Sequence, residues 1–259
     1  MNQSFYTGAT GAHQQMRRMN VLGNNIANIN TYGYKAQRGR FAALMYENPP
    51  RSIDREPVPF GVGTALWQID TDFNSGILAD TGRKQDYAIA GEGFFAVVDL
   101  TTDEVTLTRN GAFCISELMR PTNEVGEDGQ LVLDEFGQPL TERIYYLSDN
   151  EGRFVLSENG GMIEVDPAER NEAQPVGVFD YLNYNGMERL YDTRFRAVAK
   201  NGGMRRASGV AMQGMLETSN ADLAEEYTKM IESQRAYGMA LKMVQTSDEI
   251  ETTINGLRG

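Results

Sequence analysis

One apolar repeat, stepping by four and three residues, occurs at both ends of this chain, and everything between reads as β-structure. Near the N-terminus it runs through Phe5, Ala9, Ala12, Met16, Met19, Gly23 and Ile26. Near the C-terminus it runs through Leu223, Tyr227, Met230, Gln234, Tyr237, Leu241 and Val244. This spacing puts each set on one face of a helix, in the register of a coiled-coil seam. A seam needs a partner, in the other helix or in neighbouring copies, so the pattern points to assembly.

The first helix is expected over residues 4–30, about 40 Å at 1.5 Å per residue. Its small run from Thr7 to Ala12 holds two glycines that weaken a helix but let another approach closely. Gly33 is a candidate for a left-handed position at its end. The second helix opens in Leu216-Glu217-Thr218-Ser219-Asn220, where Ser219 and Asp222 suggest a capping-box variant, and runs to about Leu257. Gln234 and Asp248 are polar seam positions, of the kind that fix register and partner number. Charge separates the two ends. The first 46 residues hold five bases and no acid, the chain as a whole carries −12, and the rest therefore carries −17. Residues 216–259 hold eight acids and four bases. Opposite signs favour pairing the two helices, mainly as a matter of partner choice.

Between them the signals change. Pro49, Pro50, Pro57 and Pro59 mark an irregular segment. Val105 to Thr108, Asn110-Gly111, and Ala112 to Ile115 read as a hairpin, with further Asn-Gly turns at 159–160, 185–186 and 201–202. Asp128-Gly129 adds a turn. Strands are expected near 94–98, 129–133, 144–147, 153–156, 176–182 and 193–199. The fold class is α+β: N- and C-terminal α-helices forming a coiled coil, with a central, mainly antiparallel β-domain. The expected boundaries are 1–34, 35–216 and 217–259, the first segment pairing with the last.

Little catalytic chemistry is on offer. The acidic balance argues against nucleic acid. His13, the only histidine, sits beside the seam as a helix-surface or interface residue, and Cys114, the only cysteine, reads as a small strand hydrophobe, so neither a His-based mechanism nor a zinc site is expected. Gly91-Glu92-Gly93-Phe94-Phe95-Ala96 matches a dinucleotide fingerprint formally but runs into a strand, so it reads as a tight turn. Asp70, Asp72 and Asn74 begin like a calcium loop, then fail at Ser75 and Thr81. No carboxylate pair stands out. The expectations are no catalytic residue, no cofactor, no metal, no small-molecule substrate, no bilayer-spanning run and no cleaved secretory signal.

Asn24-Asn25-Ile26-Ala27-Asn28-Ile29-Asn30-Thr31-Tyr32-Gly33-Tyr34-Lys35 resembles the N-terminal signature of the bacterial flagellar rod and hook axial proteins. Leu216 to Asn220, and Met230 to Tyr237 with Gln234 and Arg235, resemble the C-terminal one. Gly91 to Val97 and Thr108-Arg109-Asn110-Gly111-Ala112-Phe113 fit internal motifs of that family, in the right order. The resemblance implies terminal helices lining a tubular assembly with the β-domain outside, and export by the flagellar type III apparatus. Its partners would be other rod and hook proteins and further copies, in the basal body. It gives Asn24, Asn25 and Asn28 a role, offering amides to neighbouring subunits. Length and the Gly-Phe-Phe motif resemble the proximal and distal rod proteins more than the longer hook subunit, and the short segment from Tyr46 to Gly63 and the run from Met239 to Val244 lean toward a proximal rod protein, with a distal rod or hook-like subunit as the alternative. Ala221, where the family has Val, and an apparent inserted loop over 116–128 depart from the pattern. From another class, the rival is a soluble β-domain binding module closed by a small coiled coil.

Overall fold

In a computed structural model of the chain, the residues described are 3–44, 46–47, 60–61, 63–121, 141–166, 168, 170–190 and 193–257. They are mainly antiparallel β-structure between two terminal helices, and they group into two units.

The first unit holds both helices with the segments Lys35–Asn74 and Asn220–Gly259. Helix α1 spans Gln3–Ala27 and α2 spans Leu223–Gly256. They pack antiparallel: Ser4 hydrogen-bonds Ser247 at 2.8 Å at one end, and Asn25 reaches Glu226 at 2.8 Å at the other. The strand Gln37–Ala43 pairs antiparallel with Thr64–Thr71, with a register shift between Arg40 and Phe41. Leu66, on the second strand, donates its N–H to Gln14 of α1 at 3.0 Å.

α2 starts later than the sequence suggests. Its cap is Asp222, whose carboxylate accepts from the N–H groups of Ala224 and Glu225, so Ser219 is not the cap. Leu216 and Glu217, expected to open the helix, belong instead to the strand Met215–Glu217, which pairs with Leu78–Asp80. At the other end, α1 stops three residues before Asn30, so Gly33 lies beyond any C′ position.

The second unit holds Thr31–Tyr34 and Ser75–Ser219. Its largest sheet is antiparallel throughout. Phe94–Asp99 sits centrally, with Glu104–Thr108 on one side and both Val178–Asp180 and Phe154–Val155 on the other. Phe95, Val97, Phe113, Leu147 and Val155 fill the core, at 1% exposure or less. Each fully buried side chain of this size contributes roughly 1.5–3 kcal/mol relative to leaving it in water.

Three expectations give way here. Glu104–Thr108 and Cys114–Pro121 are not a hairpin: the first pairs with Phe94–Asp99, the second with Thr141–Ser148. Gly111 does not take the positive φ that a type I′ turn needs, whereas Gly160, Gly186 and Gly202 do, at 81°, 82° and 85°. Gly111 serves close approach instead, since a Cβ there would lie 1.7 Å from the Tyr87 carbonyl oxygen. Ser116 to Pro121, read as the start of an inserted loop, continue a strand. Cys114 opens that strand half-buried, its sulfur 3.3 Å from the Ser148 hydroxyl. The expected strand at 129–133, the Asp128-Gly129 turn and most of the proline-rich segment lie outside the described residues.

Candidate assembly interface

The line along which α1 and α2 touch mixes small and polar residues with a few larger apolar ones. On α2 it is Glu226, Met230, Ser233, Tyr237, Ala240, Val244 and Ser247, buried or half-buried, in the same four–three rhythm. On α1, Ser4, Gly8, Gly11, Gly23 and Asn25 approach α2, and Ala12 and Leu22 are buried beside them. The helices come close because Gly8 has no side chain: a Cβ there would stand 3.1 Å from Val244 Cγ2 and 3.2 Å from the Ala240 carbonyl oxygen.

The apolar seams legible in the sequence overlap this line without coinciding with it. Gly23, Met230, Tyr237 and Val244 lie on it, with Ala12 buried beside it. Phe5, Ala9, Met16, Leu223, Tyr227, Gln234, Arg235 and Leu241 are exposed, and Met19, Gly23 and Ile26 are half-buried. At 100° per residue, Leu223, Tyr227, Gln234 and Leu241 lie roughly 85° round α2 from the contact line, Phe5, Ala9 and Met16 roughly 110° round α1, and Arg235 on the far side of α2. Each helix therefore has two edges. The smaller residues face inward within the chain, and most of the larger apolar ones face outward.

The asparagine motif also divides. Asn25 is fully buried, donating to the Gln37 carbonyl and to Glu226, both at 2.8 Å, and accepting from the Gln37 N–H at 2.9 Å. Its amide is spent inside the chain, so the expectation that it serves a neighbour is corrected for this residue. Asn28 is half-buried and bonds the Asn24 carbonyl at 2.9 Å, while Asn24 itself is exposed. Lys229 sits between Glu225 at 2.7 Å and Glu226 at 3.3 Å. The hydrogen bond from Lys229 holds the Glu225 carboxyl below its ordinary range. None of the ion pairs among the described residues joins α1 to α2.

Two nodes missed in the sequence hold the remaining motif residues. In the first unit, Asn220 accepts from the Ala36 N–H at 2.7 Å and donates to the carbonyls of Asp72 and Asn74, while buried Lys35 reaches the Asn74 carbonyl at 2.7 Å. The supposed calcium-loop acids have arginine partners, Arg40 on Asp70 and Arg38 on Asp72. In the second unit, Arg109 pairs with Glu217 at 2.9 Å with both side chains at or below 3% exposure. Glu217 also accepts from the Gly76 N–H at 2.8 Å, and its carbonyl accepts from Gly33 at 2.7 Å. Arg109 donates to the Gly91 carbonyl at 2.9 Å and lies over the Phe94 ring. Gly33 takes φ +67° because the Asn110 backbone leaves no room for a Cβ. Four separate sequence motifs thus meet at one buried ion pair. The one signal for it in the sequence is an arginine and a glutamate of opposite charge, each set in one of the quoted motifs.

A β-rich middle between paired terminal helices whose larger apolar residues mostly face outward is the architecture of a subunit built to assemble. Comparison with known proteins agrees. The family described as "Flagella basal body rod protein" matches residues 5–35, and "Flagellar basal body rod FlgEFG protein C-terminal" matches residues 212–257. The flagellar basal-body rod protein FlgG of Caulobacter vibrioides is 31% identical, with 99% of each chain covered. FlgG of Buchnera aphidicola from Acyrthosiphon pisum is 31% identical over 96% of this chain and 97% of its own. A flagellar hook protein, FlgE of Treponema pallidum, is 32% identical over 54% of this chain and 32% of its own. The chain belongs to the flagellar basal-body rod protein family. It is a structural subunit of the rod, and its place is the flagellar basal body. No helix among the described residues is long and apolar enough to cross a membrane.

Proposed function

We propose that this rod subunit joins its neighbours through the outward flanks of its terminal helices, as a coiled-coil layer of a tubular axial structure that transmits torque. One observation carries the reading: the helices pair largely through small and polar residues and leave Phe5, Met16, Leu223, Tyr227 and Leu241 uncovered. Met230, Tyr237 and Val244 serve both edges, and Ala9, Ala12, Met19, Ile26, Asn24, Asn28, Gln234 and Arg235 lie on or beside the outward one. Its partners are further copies and other rod and hook proteins, and it reaches them through the flagellar type III export apparatus. It performs no catalysis.

The test is quantitative mass spectrometry of purified hook–basal bodies, with deletion of the gene. Recovery of the chain and loss of rods on deletion support the reading. A few copies per basal body fit the proximal position, and a few dozen move the chain to the distal rod. A soluble small oligomer, absent from basal bodies, overturns it.

A further inference from the structure

We infer that the overhanging end of α2 docks on the basic flank of α1 in a second copy of this chain, through acids against Arg17 and Arg18 and isoleucines against Met16. This rests on the assembly reading above and names the contact that would set its axial register. The Ser4–Ser247 hydrogen bond places the start of α1 against Ser247, and α2 continues to Gly256. Every residue from 248 to 257 is exposed. That stretch carries Asp248, Glu249 and Glu251, none with an ion-pair partner among the described residues, and Ile250, Ile254 and Leu257 at helical spacing. A helical end of about ten residues with no packing gains little from propensity alone. It needs a surface.

The complementary surface is on α1. Arg17 is exposed and Arg18 half-buried, and neither has a carboxylate partner among the described residues. Arg18 lies 5.7 Å over the Phe41 ring and lines a pocket of about 180 Å³ with Val21, Leu22 and Lys229. Met16 is exposed beside them. Within one chain these charges cannot meet. Arg17 lies thirteen residues along α1 from Ser4, about 20 Å away from the acids at the other end of the contact. Every copy carries both halves, which are different surfaces. The contact is therefore heterologous and propagates instead of closing. The two copies would be offset along the helix axis by roughly 25 Å.

A charge swap between molecules tests it. Full-length R17E/R18E and D248K/E249K/E251K are compared with the unsubstituted chain by sedimentation at several concentrations and salt levels, with circular dichroism verifying the fold. Each variant alone should associate at least about tenfold more weakly, since like charges then face each other. An equimolar mixture should recover association, because each variant's altered end meets an opposite charge on the other. Raising salt should weaken the unsubstituted contact. If each variant alone associates like the unsubstituted chain, or the mixture stays as dissociated as its components, the contact is wrong. An unsubstituted chain that stays monomeric throughout overturns the choice of a second copy. Recovery of that same chain in basal bodies would leave the rod reading standing.

Discussion

The two units of this molecule use large apolar side chains in opposite ways. The β-rich unit buries them: Phe94, Phe95, Phe113, Phe195, Ile89 and Leu107 are each at 1% exposure or less. The helical unit buries Gly8, Ala12, Ser233, Ser247 and Asn25, and leaves Leu223, Tyr227, Ile231 and Leu241 in solvent. Burial of apolar area is the main favourable term in folding, so the β-rich unit's stability is largely its own. The helical unit buries a few large apolar groups, Val21, Leu22 and Leu66 among them, and leaves most of those on its helices uncovered. Uncovered rows of this size mark an interaction surface, and they account for the strong patterning of the termini.

The largest expected effects separate the units most sharply. Phe95→Ala opens a cavity in the β-core and should cost about 3–5 kcal/mol in urea unfolding. Glu217→Gln leaves the Arg109 guanidinium buried without its countercharge, and should cost about 3–5 kcal/mol by the same measurement. A wild-type midpoint for Glu217→Gln would mean that the four motifs do not depend on this pair. On the helices the pattern should invert. Leu223→Ala and Tyr227→Ala remove exposed groups and should move the unfolding free energy of the isolated chain by no more than about 0.5 kcal/mol. The same substitutions should lower recovery of the chain in purified basal bodies. Unchanged recovery would sever the exposed row from assembly.

This division was partly legible in the sequence. Periodicity gave both helices, their four–three rhythm and the small run from Thr7 to Ala12 that lets them approach. It did not give which edge faces inward. Two overlapping rows share Gly23, Met230, Tyr237 and Val244, and the apolar criterion selects the larger residues, which here mostly face solvent. Glu226, Ser233 and Ser247 were invisible to it because they are polar. The β-unit's central strands were readable from their β-branched and aromatic runs. Their partners were not, because pairing is non-local and an Asn-Gly pair at 110–111 imitates a turn while serving a close backbone approach. The Gly-Glu-Gly turn into Phe94–Asp99 was read correctly, since both glycines take positive φ, at 106° and 124°.

Two glycines on α1 sharpen the comparison at smaller scale. Gly11 has only ordinary contact nearby, a Cβ there lying 3.9 Å from Ala240 Cβ. Gly11→Ala should stabilise the chain by about 0.5–1 kcal/mol through helix propensity. Gly8→Ala gains the same propensity but presses on the Ala240 carbonyl and Val244. Forcing the helices apart should more than offset the gain, leaving a net loss of about 1 kcal/mol. The opposite signs would be read as urea midpoints on either side of the unsubstituted chain. Equal stabilisation by both would mean that the helices do not meet as closely as Gly8 implies.

The smallest effect concerns acid, and it too should divide the units. Burial alone would raise the Asp180 carboxyl in the β-unit, but hydrogen bonds from Tyr184 and from Arg205, the latter at 2.6 Å, outweigh it and hold the group below its ordinary range. A carboxyl depressed in the folded state adds stability that is fully present above its unfolded pKa. That stability is lost as pH falls through the folded value. Asp180→Asn should therefore lower stability at neutral pH and flatten its decline toward acid. Glu225 on α2 is also depressed, but its side chain is 57% exposed and screened by solvent, so Glu225→Gln should leave the pH profile nearly unchanged. Urea midpoints between about pH 7 and pH 3 distinguish the two, because the unfolded carboxyl titrates near pH 4. Equal flattening by both substitutions would place as much acid sensitivity in the exposed helix as in the packed sheet, against the contrast between the two units.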